Sequence, residues 1–274
     1  MKSASQAFWF SRHKTLLAVA RVLLFMLCCT AVLIATSALP LARSGKNSLL
    51  LLGVVSSVGA FLVTCLFARW DSLSLTSVGA SLDRGSIPRL AFGLVIGSTL
   101  LGVQWAFMWA CGHIRWEFSQ VVSHGTFAAM IAAFLLLSAR EELAFHGFAL
   151  RRLQTLIGLW PAQIGIAIVF ALEHVVGGNS LAPALAGAGM GSLLFGMAAI
   201  ATRGLAVPIG IHAAWNIGDW LRGAKENPGI WRPVVEPGYE SYTQVTGFFT
   251  YMTLMALATF AFWLVYCARR SNEA

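Results

Sequence analysis

The sequence has few charged residues, and this shortage decides its class. Asp, Glu, Lys and Arg make up 11% of the 274 residues, against about 25% in an ordinary soluble domain. A water-soluble globular enzyme is therefore excluded. The apolar residues, 58% of the chain, recur in blocks long enough to cross a bilayer. The sequence predicts an all-α polytopic transmembrane helical bundle, with residues 1–274 forming a single integral membrane domain.

Several signatures of common enzyme and binding classes are also absent. The chain contains no GxSxG, no glycine-rich phosphate loop and no HExxH, so serine hydrolases, nucleotide-binding folds and zincins lack their residues. The five cysteines show no zinc or disulfide spacing, and we interpret them as buried small hydrophobes. Lys and Arg outnumber acids 19 to 11, but they lie mainly between the apolar blocks. They orient helices there, and no nucleic-acid partner is indicated.

Eight segments are predicted to be membrane helices. The fourth is unusual because we expect one long, unbroken helix that carries charged residues inside the membrane. The sixth contains a GxxxG spacing, which lets another helix approach closely. The segments are residues 16–39, 48–68, 90–110, 125–153, 156–176, 181–202, 204–220 and 245–267.

The basic residues predict the orientation of the bundle. If the amino terminus is inside, the inner side holds Lys2, Arg12, Lys14, Arg69, Arg84, Arg89, Arg151, Arg152, Arg203, Arg269 and Arg270. The outer loops then hold the smaller set of Arg43, Lys46, Arg115, Arg222, Lys225 and Arg232. This bias predicts a multi-pass protein of a prokaryotic cytoplasmic membrane with both termini cytoplasmic. Because Glu141 precedes Arg151 by under three helical turns, we expect the polar site described next to be reached from the cytoplasm.

Polar side chains interrupt three otherwise apolar helices. An ionised group at mid-bilayer costs at least about 2.5 kcal/mol on insertion scales, so such residues are functional candidates. Singly, each group has a plain explanation as a helix end or a helix–helix hydrogen bond. Together they supply a base for water and donors for an oxyanion, which is what peptide hydrolysis needs. The residues are Glu141, Glu142, His146, Phe170, His174, His212 and Asn216.

In these motifs the chain resembles the CAAX proteases and bacteriocin-processing enzymes, which are intramembrane endopeptidases. Their pattern is EExxxR, then FxxxH, then HxxxN on successive membrane helices. Here the corresponding residues are Glu141-Glu142, Phe170 with His174, and His212 with Asn216. The resemblance covers a family-like core of about residues 69–220.

The resemblance implies a mechanism and a partner. Glu141 with His174 would activate water, His212 and Asn216 would stabilise the oxyanion, and Glu142 would support the site or bind substrate. The substrate would be a peptide or protein in or at the lipid bilayer. Zinc is possible, with Glu141, His174 and His212 as candidate ligands, so a metallo- or a glutamate-type protease both stay open.

One position departs from the family pattern. Four residues after the second glutamate, where the pattern has arginine, this chain has His146. Residues four apart share one helix face, so we predict that His146 is a carboxylate partner of Glu142. Phe170 is assigned a supporting role.

Two other functions are compatible with the sequence. A catalytically silent relative could act as a membrane scaffold or regulator, with the polar residues reduced to packing bonds. A small transporter could use Glu141, Glu142 and His174 as a proton relay, but it would lack the repeated halves that transporters usually show.

Overall fold

The computed structural model describes residues 4–38, 48–225 and 229–273, with side chains from residue 15 onward. Residue 39, the predicted end of the first helix, lies outside the described residues, as do Lys2, Arg43 and Lys46. The side chains of Arg12 and Lys14 lie outside them too.

Helices form nearly all of the described chain, which confirms the predicted all-α polytopic bundle. A π-helical turn, Leu143–Gly147, joins two of the helices, and the turns Leu181–Pro183 and Ala184–Gly189 precede another. The helices are α1 Ala4–Ser37, α2 Ser48–Trp70, α3 Ser86–Cys111, α4 His124–Glu142, α5 Phe148–Ile157, α6 Leu159–Val176, α7 Met190–Thr202, α8 Ala206–Leu221 and α9 Glu240–Ser271.

Within the described residues, six helices are long and apolar enough to span a membrane. Two of the eight predicted segments fall short of that standard. The segment containing α4 ends on charged residues, and α8 has only 16 residues. Both carry predicted site residues, whereas α6, which holds Phe170 and His174, meets the standard.

The predicted long fourth helix is present but not unbroken. The helical run extends from His124 to Ile157, and the π turn interrupts it directly after Glu142. Gly147 leaves the helical region with a ψ of −110°. Such turns carry one extra residue per turn and are frequent at functional sites. Because the run is so long, Glu142 lies near its middle and reaches the level of His212 in α8.

The two ends of the bundle differ. The basic end comprises residues 71–85, 151–158, 203–205 and 269–273. Two of these loops are joined by a hydrogen bond in which the Leu205 amide donates to the Gly79 carbonyl at 3.1 Å. The ribbon end carries the antiparallel strands β1 Ile114–Phe118 and β2 Trp231–Val235. Its loops are residues 177–180 and 222–225. Helices connect the two ends, so a residue near one end of a helix is remote from the opposite end.

A buried ion cluster closes the basic end. The Asp71 carboxylate is fully buried and lies 2.5 Å from Arg21 Nη1 and 2.8 Å from Arg152 Nε. Arg21 of the first helix therefore links α1 to the residue that follows α2.

The cysteine prediction holds only in part. Cys29 is buried in the apolar core, whereas Cys28, Cys65 and Cys267 are partly exposed and Cys111 is exposed. A helix that faces lipid needs no protein partner for its apolar side chains, so an apolar sequence position is not always an interior one.

Candidate active site

Glu142 is the centre of a buried polar network. Its side chain is fully buried, with one oxygen 2.8 Å from His146 Nδ1 and the other 2.9 Å from His212 Nδ1. His146 Nε2 lies 2.9 Å from Ser192 Oγ on α7. The predicted contact between His146 and Glu142 is therefore present. Four segments, α4, the π turn, α7 and α8, are joined by these four side chains.

Glu141 lies on the other side of His212. Its carboxylate forms an ion pair with Arg140, and its second oxygen lies 3.5 Å from His212 Nε2. The Glu141 side chain is 14% exposed, in contrast to the fully buried Glu142. His212 is thus placed between two carboxylates.

His174 presents a single free ring nitrogen. Its Nδ1 lies 2.9 Å from the Phe170 carbonyl oxygen one turn earlier in α6. A carbonyl can only accept, so Nδ1 carries the proton and Nε2 is the acceptor in the neutral ring. The Phe170 ring centroid lies 4.7 Å from that of His174 and 6.2 Å from that of His212. Phe170 therefore packs beside both histidines, in accord with a supporting role.

Two neighbours fix the orientation of the Asn216 amide. Asn216 Nδ2 donates to Ser138 Oγ at 3.2 Å, and Lys225 Nζ donates to Asn216 Oδ1 at 3.0 Å. An ammonium can only donate, so Lys225 forces the amide oxygen toward itself and the amide nitrogen the other way. One Nδ2 hydrogen remains for another acceptor.

A cavity of about 760 Å³ adjoins these groups. Of the predicted residues, it is lined by Phe170, His174, His212 and Asn216, whereas Glu141, Glu142 and His146 lie behind its wall. The Phe195 ring stacks on His212, with centroids 4.4 Å apart and planes at 11°. The wall combines apolar rings with a few polar groups, as ligand sites commonly do.

The cavity opens at the ribbon end. Its mouth includes Asn179 after α6, Lys225 after α8 and Gln244 in the first turns of α9. The expectation of a site reached from the side of Arg151 is therefore wrong. The cause is that α6 starts at the basic end and carries His174 to its far end, whereas Arg151 lies on the short helix that precedes α6.

Sequence reasoning missed several residues around the network. Gly196 allows His146 to approach α7, because a Cβ at this position would lie 3.0 Å from His146 Cδ2. Gln163 is 1% exposed, and within the described part of the chain neither of its amide atoms has a hydrogen-bond partner. The signal available for Gln163 and Ser192 was a polar residue inside an apolar helix. Lys225 gave no signal, because it lies outside any helix.

The donors present do not fit a metal site. Among the described residues, no three His, Cys, Asp or Glu side chains converge so that they could hold an ion. Of the candidate ligands Glu141, His174 and His212, the last has Nδ1 bound to Glu142 and Nε2 directed at Glu141. His212 is therefore engaged as a bridge between carboxylates.

Comparison with known proteins agrees with the resemblance found in the motifs. The family model of Rce1-like type II CAAX prenyl endopeptidases matches residues 123–218. This range lies within the predicted core of residues 69–220 and contains every predicted site residue. The matched region is therefore similar to the domain of this family of membrane endopeptidases. A search of curated proteins found no match.

Proposed function

We propose that the chain is a glutamate-type intramembrane endopeptidase that cleaves a membrane-associated peptide or protein. The observation that carries the proposal is the position of His212, between Glu141 and Glu142 and at the wall of a cavity shared with His174 and Asn216. A scaffold would need hydrogen bonds between helices, but it would not need a cavity lined by acceptors and donors. The family match supports the same reaction class.

In the proposed reaction, a water that passes His212 and reaches the partly exposed Glu141 carboxylate loses a proton to Glu141 or to His174 Nε2 as its oxygen bonds to the scissile carbonyl carbon. The carbonyl oxygen becomes an oxyanion, which accepts from the remaining Asn216 amide hydrogen and from His212 Nε2–H, which is released from Glu141 when that carboxylate takes up the proton. Glu142 holds His212 Nδ1, and Lys225 holds the amide in the donating orientation. When the C–N bond breaks, the proton taken from water passes to the leaving amine.

The proposal is tested by a substitution that removes one carboxylate charge and keeps the shape of the side chain. We expect Glu141→Gln to lower cleavage of a membrane-peptide library at least about 100-fold, as removal of a general base does, with mass spectrometry as the readout. The matched control is Glu240→Gln, which removes an exposed carboxylate from the first turn of α9, away from Glu141 and outside the cavity wall. A Glu141→Gln protein that accumulates normally and cleaves as well as the control would favour the scaffold instead.

A further inference from the structure

The basic end carries a second cavity, of about 230 Å³, between the ends of α7 and α9. It is separate from the candidate active site, which opens at the ribbon end. Its wall combines apolar and charged side chains, among them Ile200, Tyr266, Arg203, Arg269, Arg270 and Glu273.

This second cavity has an excess of positive charge. Three guanidinium groups face one carboxylate, which pairs with Arg203. Arg269 Nη1 donates to the Ala201 carbonyl at 2.6 Å, and Arg270 Nη1 lies 3.4 Å from the Tyr266 hydroxyl. Each of these contacts uses one donor, and a guanidinium has five. Arg269 and Arg270 therefore retain donors that can bind a phosphate group bidentately.

A separate apolar groove lies on the same two helices, farther from the basic end. The groove has a volume of about 330 Å³ and is lined by Trp160 of α6 together with Met190, Leu193, Ala256, Phe260 and Trp263 of α7 and α9. On α9, the steps from Ala256 to Phe260, Trp263, Tyr266 and Arg270 are three or four residues, so groove and cavity share one helix face. At about 1.5 Å per residue they extend roughly 20 Å along α9.

We propose that the cavity and groove together bind an acidic phospholipid, with its phosphate at Arg269 and Arg270 and an acyl chain in the groove. A free phosphate would use the cavity alone. Because the apolar groove lies on the same helix face, a ligand with both a phosphate group and an acyl chain is favoured. Basic pockets between membrane helices at the membrane–water boundary bind such headgroups.

Binding is tested on the full-length protein, freed of lipid in detergent and then titrated with phosphatidylglycerol in native mass spectrometry. We expect one tightly retained lipid and an affinity about tenfold lower for Arg269→Gln/Arg270→Gln, as two interfacial arginines imply. The matched control, Arg84→Gln/Arg89→Gln, makes the same charge change at the same end and should bind normally. An equal loss in both double variants would overturn the site.

Two further measurements separate lipid from phosphate. Ala256→Phe fills the exposed groove without touching the arginines, and it should weaken phosphatidylglycerol binding. The single variant Arg270→Gln keeps the contact between Arg269 and α7. A loss of lipid binding in this variant therefore cannot result from separation of α7 and α9. Displacement of the lipid by millimolar inorganic phosphate, or normal binding by Ala256→Phe, would overturn the lipid assignment.

Discussion

His146 occupies the position where the related pattern has arginine, and its surroundings explain how a histidine serves there. It lies in a fully buried site with one ring nitrogen at Glu142 and the other at Ser192. An arginine would be charged at any pH, whereas this imidazole attracts the carboxylate fully only when protonated. The substitution therefore exchanges a permanent positive charge for an imidazole that can be neutral.

The role of His146 is testable by substitution. If it acts as the partner of Glu142, His146→Arg should keep activity and flatten its pH dependence near neutrality, because the positive charge no longer titrates. His146→Ala should lower stability by about 3–5 kcal/mol, since a buried carboxylate loses a partner. Cleavage rates between pH 5 and 9 and thermal melting in detergent measure both effects.

Ser192→Ala is the control for this pair of variants, because it removes the second hydrogen bond of His146 and leaves Glu142 untouched. A folded His146→Arg protein that is as inactive as His146→Ala would contradict charge pairing. It would indicate that the imidazole itself moves a proton.

At the residue scale, sequence reasoning found contacts that follow from helical spacing. His146 and Glu142 are four apart, so their contact was predictable. Contacts between helices were not, because residue spacing says nothing about which helices are neighbours. Ser138 with Asn216 and Ser192 with His146 belong to this second class, as does Lys225.

At the scale of elements, the eight helical segments were predictable because long apolar runs leave few alternatives in a bilayer. The π turn was not predictable, since its sequence is compatible with an ordinary helix. It forms where Glu142 and His146 contact α7 and α8. At this contact, α7 needs a residue without a bulky side chain.

Gly196 is that residue, because it has no side chain, and this gives a prediction for α7. Gly196→Ala should lower stability by about 1–3 kcal/mol, as overpacking does, because the new Cβ would press on His146 and Gln163. Activity should fall as well, since His146 positions Glu142. Melting temperature and cleavage rate are the measurements.

The matched change is Gly165→Ala in α6, where an added Cβ meets no atom within 4 Å. It should stabilise the helix by about 0.5–1 kcal/mol, because alanine is the better helix former. If the two alanine variants behaved alike, Gly196 would not be a packing constraint on His146.

At the scale of the whole molecule, the two ends of the bundle are predicted to face opposite sides of the membrane. The bias in basic residues predicts that the basic end is cytoplasmic. The candidate cavity opens at the ribbon end, so the same bias predicts that substrate enters from the opposite side of the membrane. The bias in basic residues could be predicted from the sequence. The location of the cavity mouth could not, because it depends on how α6, α8 and α9 pack.

The chain offers its own reporters for this orientation. Cys111 is exposed at the ribbon end of α3, and Asn179 lies at the cavity mouth. In a background that lacks the other native cysteines, Cys111 should react with a membrane-impermeant thiol reagent added to intact cells. A cysteine introduced as Asn179→Cys in a cysteine-free background should do the same.

The control residue for this experiment is Arg84, in the loop between α2 and α3 at the basic end. Arg84→Cys should react only after the cells are opened, because the reagent cannot cross the bilayer. Peptide substrate should protect Asn179→Cys from labelling and leave Cys111 unaffected, since only the former lines the cavity. Labelling of Arg84→Cys in intact cells, with Cys111 and Asn179→Cys silent, would reverse the orientation and place the cavity mouth on the cytoplasmic side.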